Sequence, residues 1–306
     1  MALLALAACE TPQLKPTGKP QARPVMAAPP ARPGANVPSQ RSQDLSTYYA
    51  RVQNDLLNRG LLRVDGGGAD TPYHTRDLAR NFERIAFFDE YARNGSFQPS
   101  DGSGSGLRKW KDPVRMTVEF GASVPARIRS TDREEVRGYA ARLARITGHP
   151  ISVGGGAANF HVLIMGEDDR DQLLARVQQI EPGVDAATLA MIRTLPRSIH
   201  CVVAAFSTRS DEYVYNRAIA VIRAEHPDLT RQACIHEELA QGLGLANDSP
   251  EARPSIFNDD DEFALLTSHD EELLRLLYHP ALIPGMNADE ARPIVEQLLL
   301  GRLGPS

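Results

Sequence analysis

The sequence predicts an α+β fold, a mixed sheet with helices packed on it, preceded by a disordered Pro-rich tether. Two observations predict the folded part. Short apolar or alternating runs such as 160–165 recur along the chain, and segments with the helical spacing of apolar residues separate them. A third observation predicts the tether, because eight prolines and almost no large apolar side chains occupy residues 10–40. Such a segment cannot bury enough surface to offset its ordering entropy.

The overall composition is that of a globular protein. The chain has 306 residues, of which 42% are hydrophobic and 24% are charged, and its net charge is −5. The acidic balance and an aromatic content of only 6% argue against a nucleic-acid-binding protein. No run of 18 apolar residues occurs, so the sequence predicts no membrane-spanning segment.

The first nine residues predict a membrane anchor. Residues 2–8 are all Ala or Leu, and Leu6-Ala7-Ala8-Cys9 fits the bacterial lipobox, in which the Cys becomes lipidated. The charged segment that opens a complete signal is missing, so we expect the start codon to lie upstream. The alternative is a chance Ala/Leu start with a buried Cys. With lipid on Cys9, residues 10–43 form the tether, and the domain faces the periplasm in the bacterial envelope. Glu10 slightly favours the outer membrane.

Cysteine use predicts one disulfide. With Cys9 lipidated, Cys201 and Cys234 remain. An even number of remaining cysteines in a protein outside the cytoplasm indicates a disulfide between them. The alternative is two buried free thiols.

The elements follow in order along the chain. A helix at 44–62 opens an N-terminal extension (44–75), and one domain is expected over 76–306. Further helices are predicted at 76–93, from Thr131 and Asp132 to Ile146, and at 168–180, 185–194, 230–244, 269–278 and 287–301. Strands are predicted at 114–120, 151–153, 160–165, 199–207 and 218–224.

The helix at 230–244 carries the candidate chemistry. His236-Glu237 matches the start of the zinc-protease motif H-E-x-x-H, which needs a second His four residues on so that both face one metal. Position 240 is Ala, so this motif is incomplete. Beginning one residue later, residues 237–247 overlay the longer metzincin pattern H-E-x-x-H-x-x-G-x-x-H. In that frame Glu238 falls on the catalytic Glu and Gly244 on the Gly after the helix.

The segment over roughly 114–280 therefore resembles a degenerate metzincin, a zincin-like metallopeptidase domain. Downstream, residues 254–257 resemble the superfamily's Met-turn, with Phe257 where Met would be, and residues 218–224 would be an edge strand. The three zinc-ligand positions hold Glu237, Gln241 and Asn247. The whole chain, with its lipobox, tether and EELAQGLGLAND segment, also resembles a bacterial lipoprotein family of unknown function.

This resemblance implies a metzincin-like fold without catalytic zinc. One carboxylate and two amides make a poor zinc site, because zinc prefers His nitrogen and Cys sulfur, so we expect no metal and no cofactor. A hard cation such as Ca²⁺ would accept these oxygens, with Asp248 and the acidic loop 259–262 as further donors. An ordinary acidic surface loop is the alternative.

Helix geometry separates the side chains of this segment. At about 100° per residue, Ile235, Leu239 and Leu243 form a buried stripe, and Glu237 and Gln241 lie on the opposite side with Glu238. His236 lies beside the apolar stripe, where we expect a core-edge histidine that donates to a backbone carbonyl. An ordinary solvated face over 237–241 is the alternative to a site.

These observations lead to one functional hypothesis and two alternatives. The chain is expected to be a lipid-anchored envelope protein, a pseudoprotease whose old substrate cleft binds a peptide or an envelope protein. The first alternative is an active metal-dependent hydrolase with non-standard ligands and Glu238 as general base. The second is a structural lipoprotein whose cleft has no function.

Overall fold

The fold is built on a six-stranded, mostly parallel sheet covered by helices on both faces. The structure is a computed structural model that describes residues 37–89, 104–208 and 210–302. The chain divides into Met1–Ala35 and Asn36–Ser306, and every described residue belongs to the second unit. The predicted lipid on Cys9 and most of the predicted tether lie outside the described residues.

The strands are β1 (Lys109–Trp110), β2 (Val114–Phe120), β3 (Ile151–Val153), β4 (Phe160–Met165), β5 (Cys201–Thr208) and β6 (Asp211–Arg223). The helices are α1 (Gln40–Asn58), α2 (Thr75–Ala86), α3 (Ala126–Thr147), α4 (Arg170–Ile180), α5 (Ala186–Arg193), α6 (Asp228–Gln241), α7 (Ser268–Leu277) and α8 (Ala288–Arg302). Among these described helices, none combines the length and apolarity that crossing a bilayer requires.

Strand order runs β3-β2-β4-β6-β5, and β1 also pairs in parallel with β6. Strands β2, β3, β4 and β6 are parallel, whereas β5 runs antiparallel to β6. All six residues of β4 are buried, as expected for a central strand with helices on both faces. The fold is therefore α+β with a curled, mostly parallel sheet, which confirms the predicted sheet with helices packed on it.

Each face of the sheet has its own core. Val162 and Ile164 of β4 belong to the large cluster that includes residues of α3, α6 and α7. Leu163 and Met165 face the other way and pack with residues of α4 and α5. This alternation places α6 on the face of the large core.

The prediction that 218–224 forms an edge strand is wrong, because β6 lies inside the sheet between β4 and β5. The edge on this side is β5. Strand β6 also begins at Asp211, earlier than predicted, because the short run 213–215 lies between polar residues and is joined to the sheet by pairing with β5 and β1. The two-residue strand β1 was not predicted at all.

Three helix boundaries also differ. Helix α3 begins at Ala126 after Pro125, so Asp132 lies inside the helix and not at its start. Helix α2 ends at Ala86, well before the predicted 93. Helix α1 begins at Gln40, inside the predicted tether, and it belongs to the same compact unit as the sheet, with Tyr49 buried.

Candidate functional site

Helix α6 is fixed against β5 by a disulfide. Cys201 at the start of β5 is bonded to Cys234 in α6, with 5.9 Å between their Cα atoms. The predicted bridge is therefore present. The predicted stripe is also present, because Ile235, Leu239 and Leu243 are all fully buried in the large core.

The opposite face of α6 forms one wall of a cavity of about 400 Å³. Glu237, Glu238 and Gln241 line this wall, so the face is not an ordinary solvated surface. Only 3% of Glu238 and 7% of Gln241 are exposed. The facing wall is β5, which contributes Cys201, Val202, Val203 and Ala205.

Two carboxylates converge beside the disulfide. Carboxylate oxygens of Glu237 and Glu238 and the Sγ of Cys201 lie within 4.8 Å of one another. This sulfur is bonded to Cys234, so it is not a thiolate, the form of Cys that binds zinc. The two carboxylates are therefore the groups of this cluster that could meet a cation.

The predicted ligand positions separate in space. Gln241 donates its amide Nε2–H to Oδ1 of Asp248 across 3.3 Å, and both residues line the cavity. Asn247 donates instead to the carbonyl oxygen of Arg84 at 3.0 Å. Asn247 is not among the described residues that line the cavity, whereas its neighbour Asp248 is, so the structure brings Asp248 and not Asn247 together with Glu237 and Gln241.

His236 is a structural histidine. The backbone N–H of Leu266 donates to Nδ1 at 3.0 Å, so the proton belongs on Nε2, which donates to Glu135 at 3.0 Å. The ring stacks on Tyr139, with 3.9 Å between ring centroids. Burial lowers the pKa of His236, and the Glu135 carboxylate opposes that shift. The prediction of a core-edge histidine is consistent with this position, but the acceptor is a carboxylate and not a backbone carbonyl.

The segment that resembles a Met-turn passes behind the cavity. Phe257 is fully buried in the large core, and Ile256 lines the cavity. Asp270 holds this segment by accepting from the Ser255 hydroxyl at 2.5 Å and from the Ile256 N–H at 3.0 Å. Sequence reasoning missed Asp270, although Thr267-x-x-Asp270 is a capping-box pattern that could have indicated it.

The residues of the acidic loop 259–262 lie in two different surroundings. Asp259 and Asp261 line the cavity, and burial raises the pKa of Asp261. Glu262 instead forms ion pairs with Arg63 at 3.2 Å and Arg253 at 2.5 Å. Part of the loop is therefore a wall of the site, and part is an ion-paired surface.

Three further charged or titratable lining residues were not predicted as part of a site. Arg108 and Asp89 form an ion pair at the cavity, and His200, the residue just before β5, also lines it. Burial lowers the pKa of His200, so the ring is neutral at neutral pH. No motif marks these residues, because loops distant in sequence bring them to the site.

Comparison with known proteins identifies a family but no activity. Residues 75–297 match the family described as "Protein of unknown function (DUF2927)", which is 223 of the 306 residues. No curated protein and no solved structure matches the chain. Nothing in these comparisons connects the chain to metzincins or to lipoproteins, so both resemblances stay predictions. The chain belongs to the DUF2927 family.

Proposed function

We propose that this chain is a lipid-anchored envelope protein whose cavity between β5 and α6 binds an extended peptide segment bearing a basic side chain. The observation that carries the proposal is the position of β5. It is an antiparallel edge strand, and four of its residues form one wall of the cavity. The peptide belongs to a protein of the envelope, and the degenerate metzincin resemblance of residues 114–280 is consistent with a cleft that once held a substrate.

An edge strand can bind a peptide through its backbone. Among the described strands, β5 pairs only with β6, so its other edge presents a row of N–H and C=O groups. An extended segment adds to such an edge by main-chain hydrogen bonds, and pockets for alternate side chains select the sequence. A strand added here runs along the face of α6 that carries Glu237 and Glu238.

Charge favours a basic side chain in this groove. Among the described lining residues there are six carboxylates and a single guanidinium, that of Arg108, which pairs with Asp89. The carboxylates are those of Asp89, Glu237, Glu238, Asp248, Asp259 and Asp261. A cleft lined by one sign of charge attracts ligands of the other sign, so a Lys or Arg side chain is favoured.

The alternative function is a metal-dependent hydrolase with Glu238 as general base. Its support is the pair of carboxylates at Glu237 and Glu238 beside Gln241 and Asp248. These oxygen donors suit a hard cation better than zinc. Metal chemistry of this kind would need a bound ion to acidify the attacking water.

The test uses the full 306-residue chain and labelled pools of random decapeptides with a fixed central Lys or a fixed central Glu. Fluorescence anisotropy should show tighter binding of the Lys pool. The variant Glu237→Gln/Asp259→Asn should weaken that binding, because both residues line the cavity. Glu134→Gln/Asp289→Asn removes the same charge from exposed sites on α3 and α8 and should have no effect.

The two functions give different outcomes. No preference for the Lys pool, or an equal loss in the control variant, would contradict the peptide-binding proposal. Cleavage of the peptides that depends on a stoichiometric metal and disappears in Glu238→Gln would establish the hydrolase instead.

A further inference from the structure

We propose that a second pocket, lined by four arginines, binds a phosphate group. The pocket has a volume of about 350 Å³, and Arg41, Arg170, Arg197 and Arg223 line it. It lies where the first turn of α1 meets the start of α4, the loop after α5 and the end of β6. Among the described residues it shares no lining residue with the cavity between β5 and α6, so it is a separate site.

The charge of the pocket matches a dianion. Its four guanidinium groups face two carboxylates, those of Asp44 and Glu167, which leaves two positive charges on a chain whose net charge is −5. A phosphomonoester carries close to two negative charges at neutral pH. The planar guanidinium presents parallel N–H groups that pair with two phosphate oxygens at once.

The base of the pocket is rigid. Glu167 is almost fully buried, pairs with Arg170, and accepts from Nε of Arg41 at 2.8 Å. Arg223 donates from Nη2 to the carbonyl oxygens of Leu195 at 2.5 Å and Pro196 at 3.0 Å. These bonds hold the segment that leads into Arg197, so a ligand would meet positioned cations.

Arginine N–H groups around the base of the pocket remain accessible to a ligand. Arg41 uses Nε on Glu167, and its side chain is 74% exposed, so its two Nη groups face solvent. The guanidinium of Arg197 lies 4.6 Å from the ring centroid of Tyr48, a stacking that leaves its N–H edge open to a ligand. The Nε of Arg170 is buried and has no acceptor among the described residues. Arg41 and Arg197 are therefore the residues that would reach the phosphate.

The phosphate could belong to a soluble molecule or to a lipid headgroup. Arg41 lies in the first turn of α1, within the last residues of the segment predicted as tether, near the point where the described part of the chain begins. A lipid headgroup is one of the two sources because the predicted lipid on Cys9 would keep the domain at a membrane. Both sources present the same oxyanion to the same arginines, so the experiment separates them.

Calorimetric titration of inorganic phosphate into the unlipidated 306-residue chain tests the site. The double variant Arg41→Gln/Arg197→Gln should weaken phosphate binding about tenfold or more. Arg137→Gln/Arg145→Gln is the matched control, since it removes the same charge from exposed positions of α3 outside the pocket and should leave the affinity unchanged. Both variants change exposed side chains, so both should remain folded, which circular dichroism verifies.

Vesicles identify the source of the phosphate. A lipid headgroup would be assigned if the protein sediments with phosphatidylcholine vesicles that contain phosphatidic acid but not with vesicles of phosphatidylcholine alone. The Arg41/Arg197 variant should then lose this sedimentation. Phosphate binding without sedimentation would assign a soluble ligand. Absence of phosphate binding, or equal affinity in the wild type and in the Arg41/Arg197 variant, would overturn the proposal.

Discussion

The environment of single buried side chains makes stability depend on pH. His226 is almost fully buried, donates from Nε2 to the carbonyl oxygen of His200 at 2.9 Å, and packs against the Tyr49 ring at a tilted angle. Burial lowers the pKa of His226 from 6.5 to about 3. The unfolded chain therefore binds a proton at this residue between those pH values and the folded chain does not, so acidification favours unfolding.

We expect the free energy of unfolding to fall as pH drops from 6 to 4, with His226 contributing a slope of about 1.4 kcal/mol per pH unit. His226→Gln removes the titrating group and should flatten the dependence by that amount. Chemical denaturation at a series of pH values measures the slope. The exposed, non-titrating Gln178 is the control, and Gln178→Ala should leave the slope unchanged. An unchanged slope in His226→Gln would refute this assignment.

A second residue, Asp270, organises the back of the site. Its carboxylate is fully buried and accepts from Ser255, Ile256 and Thr267. Asp270→Ala leaves these buried donors without an acceptor and should lower the free energy of unfolding by about 3 kcal/mol or more. Asp289→Ala, at a carboxylate 86% exposed, should cost less than about 0.5 kcal/mol. Urea denaturation compares them, and equal effects would contradict the role given to Asp270.

At the scale of elements, the disulfide joins the two walls of the site. It links β5 to α6 across a sequence separation of 33 residues. In the chain-entropy model, closing such a loop stabilises the fold by about 3–4 kcal/mol. Cys201→Ala/Cys234→Ala should therefore lower the free energy of unfolding by about that amount. Adding reductant should lower the free energy of unfolding of the wild type by a similar amount and leave that of the variant unchanged. A variant as stable as the oxidised wild type would contradict this account.

A strand could be predicted from the sequence where a local pattern of apolar residues defines it, but not where contacts between distant segments do. Strands β2, β3 and β4 match the predicted bounds, because their apolar or alternating residues are a local pattern. The first half of β6 was missed because only the short run 213–215 is apolar there, and pairing with β5 and β1 extends the strand beyond it. The edge position of β5 could not be predicted either, since strand order depends on contacts between distant segments.

The site, too, could be predicted only where a local sequence pattern defines it. The buried stripe of α6 and the opposite face with Glu237 and Gln241 follow from helical periodicity alone. Asn247 was misplaced because a motif overlay assumes the loop path of another family, and here the residue turns to Arg84. Arg108 and His200 reach the cavity through the tertiary fold, which no local pattern encodes.

At the scale of the whole molecule, the membrane anchor is the part that depends on sequence alone. If Cys9 carries lipid, Cys9→Ala in a chain with a complete upstream signal should move the protein from the membrane fraction to the soluble envelope fraction. Immunoblotting after fractionation measures this. Replacing Cys9 has no reason to alter the folded unit, so circular dichroism of the variant should match the wild type. An unchanged distribution would refute the lipobox assignment.

The central claim is that an extended basic peptide pairs with β5 in the cavity beside α6. Hydrogen–deuterium exchange of the full chain, with and without a peptide selected from the Lys pool, tests it most directly. The account predicts slower exchange of backbone amides within 201–206, because added main-chain hydrogen bonds and reduced strand opening protect them. Unchanged exchange in β5, with protection confined to another part of the protein, would contradict it.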